Sequence, residues 1–560
     1  MLEAGSCEAS TPFPSKGKWR CEMLGTLANS IVEAIAGIVG GIGIAAASKR
    51  ARAHPSVKAL SVSTVGAVLA CIVSGIPQPA MAQSALAQGA AGVPAFAPGM
   101  INHMQAMRRF KDRDQGAQPT PNVIPKFEID RDASGAIATF QTEGQTFTKN
   151  NAFFQNLGTN GRTCFTCHQP ANGWTVSAAT VADRFAESGG ADPIFRLVDG
   201  ATCPTADVST LSAKRQAYKL LTDKGLIRIG LPMPEPAILQ FAVTAVSDPY
   251  QCTTNPATGL TSETAGIVSI YRRPLPATNL GFLSTIMWDG REPTLASQAI
   301  DATLGHAQAN VAPNAFQQSQ MVAFETDLFT AQAVDQHAGS LNDHNATGGP
   351  IALSLQLATF FIGVNDPLGN NPKGQPFSPN IFDLYRPWLG AFDDLRRSIA
   401  RGEEVFNTTN INITGVAGLN DALNVASIPG FCGTCHDTPN VGNHSVKAPL
   451  NIGIADAGAK SPPALDISGL PVFTLTCTKG PFAGQIFTVT DPGRALISGQ
   501  CADIGKVKGP ILRGLAARAP YFHNGSAATL LDVVNFYDQR FSIGFTDRQK
   551  SDLVNFLNAL

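Results

Sequence analysis

The pattern C-x-x-C-H occurs twice in this chain, as Cys164-Phe165-Thr166-Cys167-His168 and as Cys432-Gly433-Thr434-Cys435-His436. No other feature limits the fold as tightly. C-x-x-C-H is the attachment pattern of c-type haem. Two thiols add across the porphyrin vinyl groups, and the adjacent imidazole is placed to ligate the iron. A zinc knuckle or a thioredoxin-like redox pair uses related thiol spacings. Two copies on one chain, each beside helix-forming sequence, point instead to two covalently bound c-type haems. Cys164, Cys167, Cys432 and Cys435 then hold the cofactors, with His168 and His436 as the proximal iron ligands.

The rest of the composition narrows the class. The 560 residues carry a formal net charge of -1. The lack of a basic surplus argues against a nucleic-acid partner. Charged residues make up 15%, below the roughly 25% of ordinary globular domains. With 53 glycines and 38 prolines, loops are expected to be abundant. A hydrophobic content of 44% excludes wholesale disorder. Long apolar runs occur only near the N-terminus, which excludes a polytopic membrane protein.

That N-terminus reads as an address. Lys49, Arg50, Arg52 and Lys58 precede an apolar run from Ala59 to Ile76, and Ala80-Met81-Ala82 follows. This is a secretory signal with cleavage expected after Ala82, which implies a periplasmic protein. The alternative is an uncleaved anchor, the only membrane association the sequence offers. A second apolar stretch, Ile31 to Ala47, precedes the signal and leaves the true start open. Of the 11 cysteines, Cys7, Cys21 and Cys71 fall in the removed part. Outside the haem motifs remain Cys203, Cys252, Cys477 and Cys501. In an oxidising compartment these are expected as two disulfides. The sequence-local pairs are Cys203–Cys252 and Cys477–Cys501, although spacing alone does not fix connectivity.

Helical patterns flank both motifs. Asp393 to Asn407 places Leu395, Ile399 and Phe406 at helical spacing. Thr546 to Leu560 places Leu553, Phe556, Leu557 and Leu560 on one face, with Thr546 and Asp547 at its start. Asn150 to Leu157, with Phe153, Phe154 and Leu157, predicts a helix capped by Gly158. An early helix, a haem motif and a late helix crossing the first make a cytochrome c domain. The expected fold class is therefore mainly α and loop-rich: two cytochrome c-like domains with long insertions. The boundaries read as an N-terminal extension and signal at 1–82 and a flexible mature N-terminus at 83–124. A first, active-site domain spans 125–330, a linker or insertion 331–389, and a second, electron-transfer domain 390–560.

Three blocks give the chain a family resemblance. Beside the paired haem motifs stand Trp288-Asp289-Gly290-Arg291, continued by Thr294-Leu295 and Gln298, and Lys508-Gly509-Pro510-Ile511-Leu512-Arg513, continued by Ala519-Pro520-Tyr521-Phe522-His523. Together they resemble the bacterial di-haem cytochrome c peroxidase and MauG superfamily, in an enlarged member. The extent of 175–270 and 310–390 resembles that of the enlarged members, among them the di-haem rubber oxygenases.

The resemblance implies roles. Trp288 would lie between the haems as a hopping station, the alternative being a core tryptophan. Gln298 would lie in the distal pocket of the first haem. The family's distal Glu is absent, because that position is Gln308. His306, two residues earlier, could supply acid–base chemistry, or could be a surface or propionate-bonded histidine. No Met follows Met321, so the peroxidase branch's thioether ligand to the second haem is missing. Tyr537, fourteen residues after His523, stands where MauG-like members use a tyrosine. It is the expected second axial ligand, a helix-face tyrosine being the alternative. Arg272, Arg273 and Pro274 stand where the family's calcium-binding Asn would precede Pro276, which leaves calcium undecided.

The function implied is a periplasmic di-haem oxidoreductase. It reduces or activates hydrogen peroxide at the first haem, with electrons passed through Trp288 and the second haem. The alternatives are a di-haem oxygenase using dioxygen on an organic substrate and a plain electron-transfer cytochrome. The electron donor would be a small redox protein, or the chain would act on a protein or organic substrate. Intact mass and haem-stained denaturing gels should show two covalent haems per chain. Replacing Cys432 and Cys435 together by Ala should remove one haem and leave the other.

Overall fold

Around the second motif the local signals and the observed elements agree. A computed structural model describes residues 120–252 and 267–560. The expected export signal and the segment 83–119 lie outside the described residues. Asp393 caps the Asp394–Thr408 helix, its side chain accepting from Arg396 N at 2.8 Å. Thr546 and Gln549 form a capping box on the Asp547–Asn558 helix. The two helices pack closely, through Phe406, Ile399, Leu553 and Phe556. Their crossing point is Gly402. A Cβ there would stand 2.0 Å from the Asp552 carbonyl oxygen and 2.6 Å from the Phe556 Cβ. Beside this contact Asp552 is gripped by Arg401, at 2.8 and 2.7 Å, and by Ser398 at 2.5 Å. The early-helix, late-helix crossing expected from the sequence is present.

The first motif is built differently. No α-helix forms over Asn150–Leu157. The chain there makes two 3-10 turns, Thr148–Asn150 and Ala152–Phe154. Asn151 accepts from Phe153 N at 2.9 Å and both phenylalanines turn inward. Gly158 caps no helix. A Cβ on it would come 1.8 Å from the Ala307 carbonyl oxygen, so it serves a close chain crossing.

The expectation of a mainly α fold does not hold. Among the described residues, 30% are helical, with 3-10 turns included, and 18% are strand. The strands lie largely in the segments that flank and enlarge the haem motifs. Sequences such as Ile267–Arg272 (IVSIYR) and Val472–Cys477 (VFTLTC) are rich in β-branched and aromatic residues, and burial alternates along the second. A four-stranded antiparallel sheet runs Phe127–Asp132, Gly135–Gln141, Leu328–Asp335, Gly339–Ser340. A two-stranded ribbon pairs Ile227–Pro232 with Ile267–Arg272, Ile229 opposite Ile270. A three-stranded sheet orders Ile486–Val489, Val472–Cys477 and Phe241–Ser247, Phe473 opposite Val246 and Val489.

The ribbon and the three-stranded sheet share one core, in which Val268 and Ile270 pack with Phe241, Phe473, Leu475 and Val489. That core aims charged residues at one point. Arg272 ends one strand, and Asp491 follows the Ile486–Val489 strand by two residues. Both expected disulfides are formed, Cys203–Cys252 and Cys477–Cys501, with Cα separations of 5.5 and 6.1 Å. Among the described residues no helix is long and apolar enough to cross a membrane.

The Gly402 contact yields a test. Gly402→Val forces its side chain into the Asp552 carbonyl, and overpacking of this kind costs typically 1–3 kcal/mol. The variant should unfold at lower temperature by circular dichroism, whereas Gly305→Ala, at a position with open space around it, should not.

Candidate haem sites

Each motif presents its histidine in the same way. His168 Nδ1 lies 2.8 Å from the Trp174 carbonyl oxygen, and His436 Nδ1 lies 2.7 Å from that of Gly442. A carbonyl can only accept, so Nδ1 carries the proton and Nε2 keeps its lone pair. This is the outer hydrogen bond that orients an imidazole for a metal. Burial lowers the pKa of both rings, for His436 to about 4, so both are neutral at physiological pH. Neutral imidazole is the form that binds iron.

The walls fit the porphyrin. Cys164, Cys167 and His168 line one cavity, and Cys432, Cys435 and His436 line a second. The four motif thiols are unpaired while the four other described cysteines are bridged. Phe153 and Phe406 lie 6.1 and 6.2 Å from the two histidine rings. Ile411, Ile413, Leu450 and Leu557 give the second cavity an apolar wall. Two thiols, a free Nε2 and an apolar enclosure are the donor set and surroundings that a covalently bound haem requires.

Trp288 forms part of the wall of both cavities, and so does Gln298. The Trp288 indole donates to the Arg273 carbonyl at 2.8 Å, and its ring lies 6.0 Å from that of His523. Its neighbour Asp289 is fully buried and bound by Arg272 and, at 3.1 Å, by Arg291. Arg272 also holds Asp491 with two bonds, at 2.6 and 3.0 Å. Gln298 sits on the Leu295–Gly305 helix, started by the Thr294–Ser297 capping box.

His306 caps the end of that helix and lines the first cavity. Its Nδ1 is 2.6 Å from Asp199, which also pairs with Arg162 at 2.6 Å. Burial would raise the Asp199 pKa, but the Arg162 charge and the His306 hydrogen bond more than offset it and leave the carboxyl below its ordinary value. Tyr537 faces His436 across the second cavity, ring centroids 6.5 Å apart and nearly perpendicular. Burial pushes its phenol upward, so a phenolate there needs a cation beside it. His523 lines the same cavity, against Trp288 and 3.5 Å from Asp491. Arg273 directs its guanidinium at the Val176, Lys224 and Arg518 carbonyls, at 2.7, 3.2 and 2.7 Å.

Sequence reading missed Glu325. It lies on the Ala315–Asp327 helix, is 8% exposed and lines both cavities, and its Oε2 has no hydrogen-bond partner. Burial raises its pKa to about 8. A helical-face count would have found it, because Glu325 is four residues after the buried Met321 and adjoins Phe324.

Parts of the chain are similar to known proteins. Residues 507–543 match the family described as RoxA-like, cytochrome c-like. The chain is 42% identical over 78 residues to the cytochrome-c peroxidase IdrP2 of Denitromonas iodatirespirans, covering 13% of this chain and 21% of that one. It is 26% identical over 239 residues to the cytochrome c551 peroxidase of Nitrosomonas europaea, covering 41% and 61%. The matched regions thus span less than two thirds of these relatives. A MauG-like protein associated with microbial copper homeostasis has a solved structure that aligns with a TM-score of 0.29 at 17% identity, covering 53% of this chain and 75% of that one. The haem motifs and these sequence matches make the chain similar, over part of its length, to cytochrome c peroxidases and to the RoxA-like, cytochrome c-like family.

Proposed function

We propose that the chain is a di-haem c-type oxidoreductase that activates hydrogen peroxide at the first haem and draws electrons from the second through Trp288. The observation that carries this reading is the indole shared by both cavity walls. An aromatic ring between two redox centres offers an intermediate site for the electron. The peroxidase relatives support peroxide as the substrate class. A bound haem supplies the redox chemistry.

The chain's own groups handle protons. Reducing peroxide to two waters consumes two electrons and two protons. Glu325, with a pKa raised to about 8 by burial, is protonated at neutral pH and can donate from within the first cavity. Asp199 accepts from His306 Nδ1, which leaves Nε2 as the end that can take or pass a proton. Gln298 is neutral and suits hydrogen bonding to a bound oxygen species. Tyr537, opposite His436, is the ligand proposed for the second iron. A phenolate is a hard, anionic donor that lowers the iron potential.

The same reading assigns two haem-bearing lobes, 125–330 and 390–560, with 331–389 between them. It places the protein in the periplasm after export. Two disulfides support an oxidising compartment. A small redox protein would deliver the electrons.

Stopped-flow mixing with peroxide tests the route. Trp288→Phe should slow re-reduction of the first haem at least tenfold while leaving the melting temperature near wild type. Re-reduction at the wild-type rate would make Trp288 a packing residue. Tyr537→Phe should leave the protein folded and convert the second iron to a five-coordinate or water-bound state by electron paramagnetic resonance. An unchanged spectrum would place the ligand elsewhere.

A further inference from the structure

Three cations face the second cavity without a counter-charge. Lys508, Arg273 and Arg518 line it, and Arg273 and Lys508 are 5% and 6% exposed. Arg273 and Arg518 donate only to backbone carbonyls. Among the described residues the Lys508 ammonium has neither a side-chain hydrogen bond nor an ion pair. Burial, and then repulsion by Arg518, lower Lys508 to about 8 and Arg273 to about 9. Burial lowers Arg518 to about 10. Glu325 does not balance them, since burial alone sets its shift and no cation opposes it.

Charge buried without a partner is costly and is kept where an anion completes the site. The missing anion must fit a cavity that the Cys432 and Cys435 thiols also line. A porphyrin bound by its vinyl edge at those thiols turns its two carboxylate arms to the far side. We propose that Arg273, Lys508 and Arg518 receive the propionate carboxylates of the haem carried by the second motif. Arg273, which also lines the first cavity, stands at the boundary between the two. The proposal rests on the covalent-haem reading.

The test uses the haem-loaded protein. Intact mass first shows whether the second haem is attached, which judges the haem reading alone. Redox titration then compares Lys508→Gln and Lys508→Met with wild type. Loss of a positive charge beside a carboxylate should shift the second-haem midpoint potential to more negative values in both variants. Lys508→Arg keeps the charge and should hold the wild-type value. The propionate bending mode in the resonance Raman spectrum should move in Lys508→Gln and stay put in Lys508→Arg. If mass shows both haems while potentials and propionate modes of both neutral variants match wild type, the cradle is overturned. If Lys508→Met fails to mature, Lys508→Gln, which keeps the length and polarity of the side chain, carries the comparison.

Discussion

Arg272 is the fixed point around which the candidate site is arranged. Its guanidinium is buried between Asp289 and Asp491, and Arg291 completes the cluster. Burial alone would lower the Arg272 pKa, but the two carboxylates outweigh it and raise the pKa instead. Two charges of each sign meet, so the cluster is neutral. Removing one member would strand the others, and breaking a buried pair in this way costs about 3–5 kcal/mol. Three distant segments are tied together: the ribbon ending at Arg272, the block holding Trp288, and the turn after the Ile486–Val489 strand. The indole's place between two cavities follows from this ion cluster, together with the Trp288 bond to the Arg273 carbonyl.

The apolar core behind the cluster gives it its precision. Val268, Ile270, Phe473 and Val489 belong to strands far apart in sequence, and they pack into one body. The same strands deliver Arg272 and Asp491. Packing energy from the sheets therefore offsets the desolvation of the charges. On the cavity side, Glu325 Oε2 and the Lys508 ammonium have no hydrogen-bond partner among the described residues.

What could be read from the sequence was local. The C-x-x-C-H motifs, the helix before the second motif, the last helix and both disulfide pairs each depend on residues close together in the chain or on a short pairing rule. The Asn150–Leu157 helix failed although its phenylalanines have helical spacing, because Asn151 turns the chain and Gly158 must pass Ala307. The strands were missed because they are short segments, of two to eight residues, set among prolines and glycines. Glu325, Arg273, Lys508 and Arg518 come from three regions of sequence. Lys508 opens a recognisable block, but only the fold brings the four to one pair of cavities.

The sheet that joins Phe241–Ser247 to Val472–Cys477 has a consequence for how the chain can be assembled. Its middle strand comes from the segment after the second haem motif, and one edge from the segment after the first. Neither half of the chain can complete that sheet alone. A chain interrupted between them would bare the backbone of Val472–Cys477 along one side, an edge open to pairing with other molecules. Each half therefore relies on the other to complete one sheet.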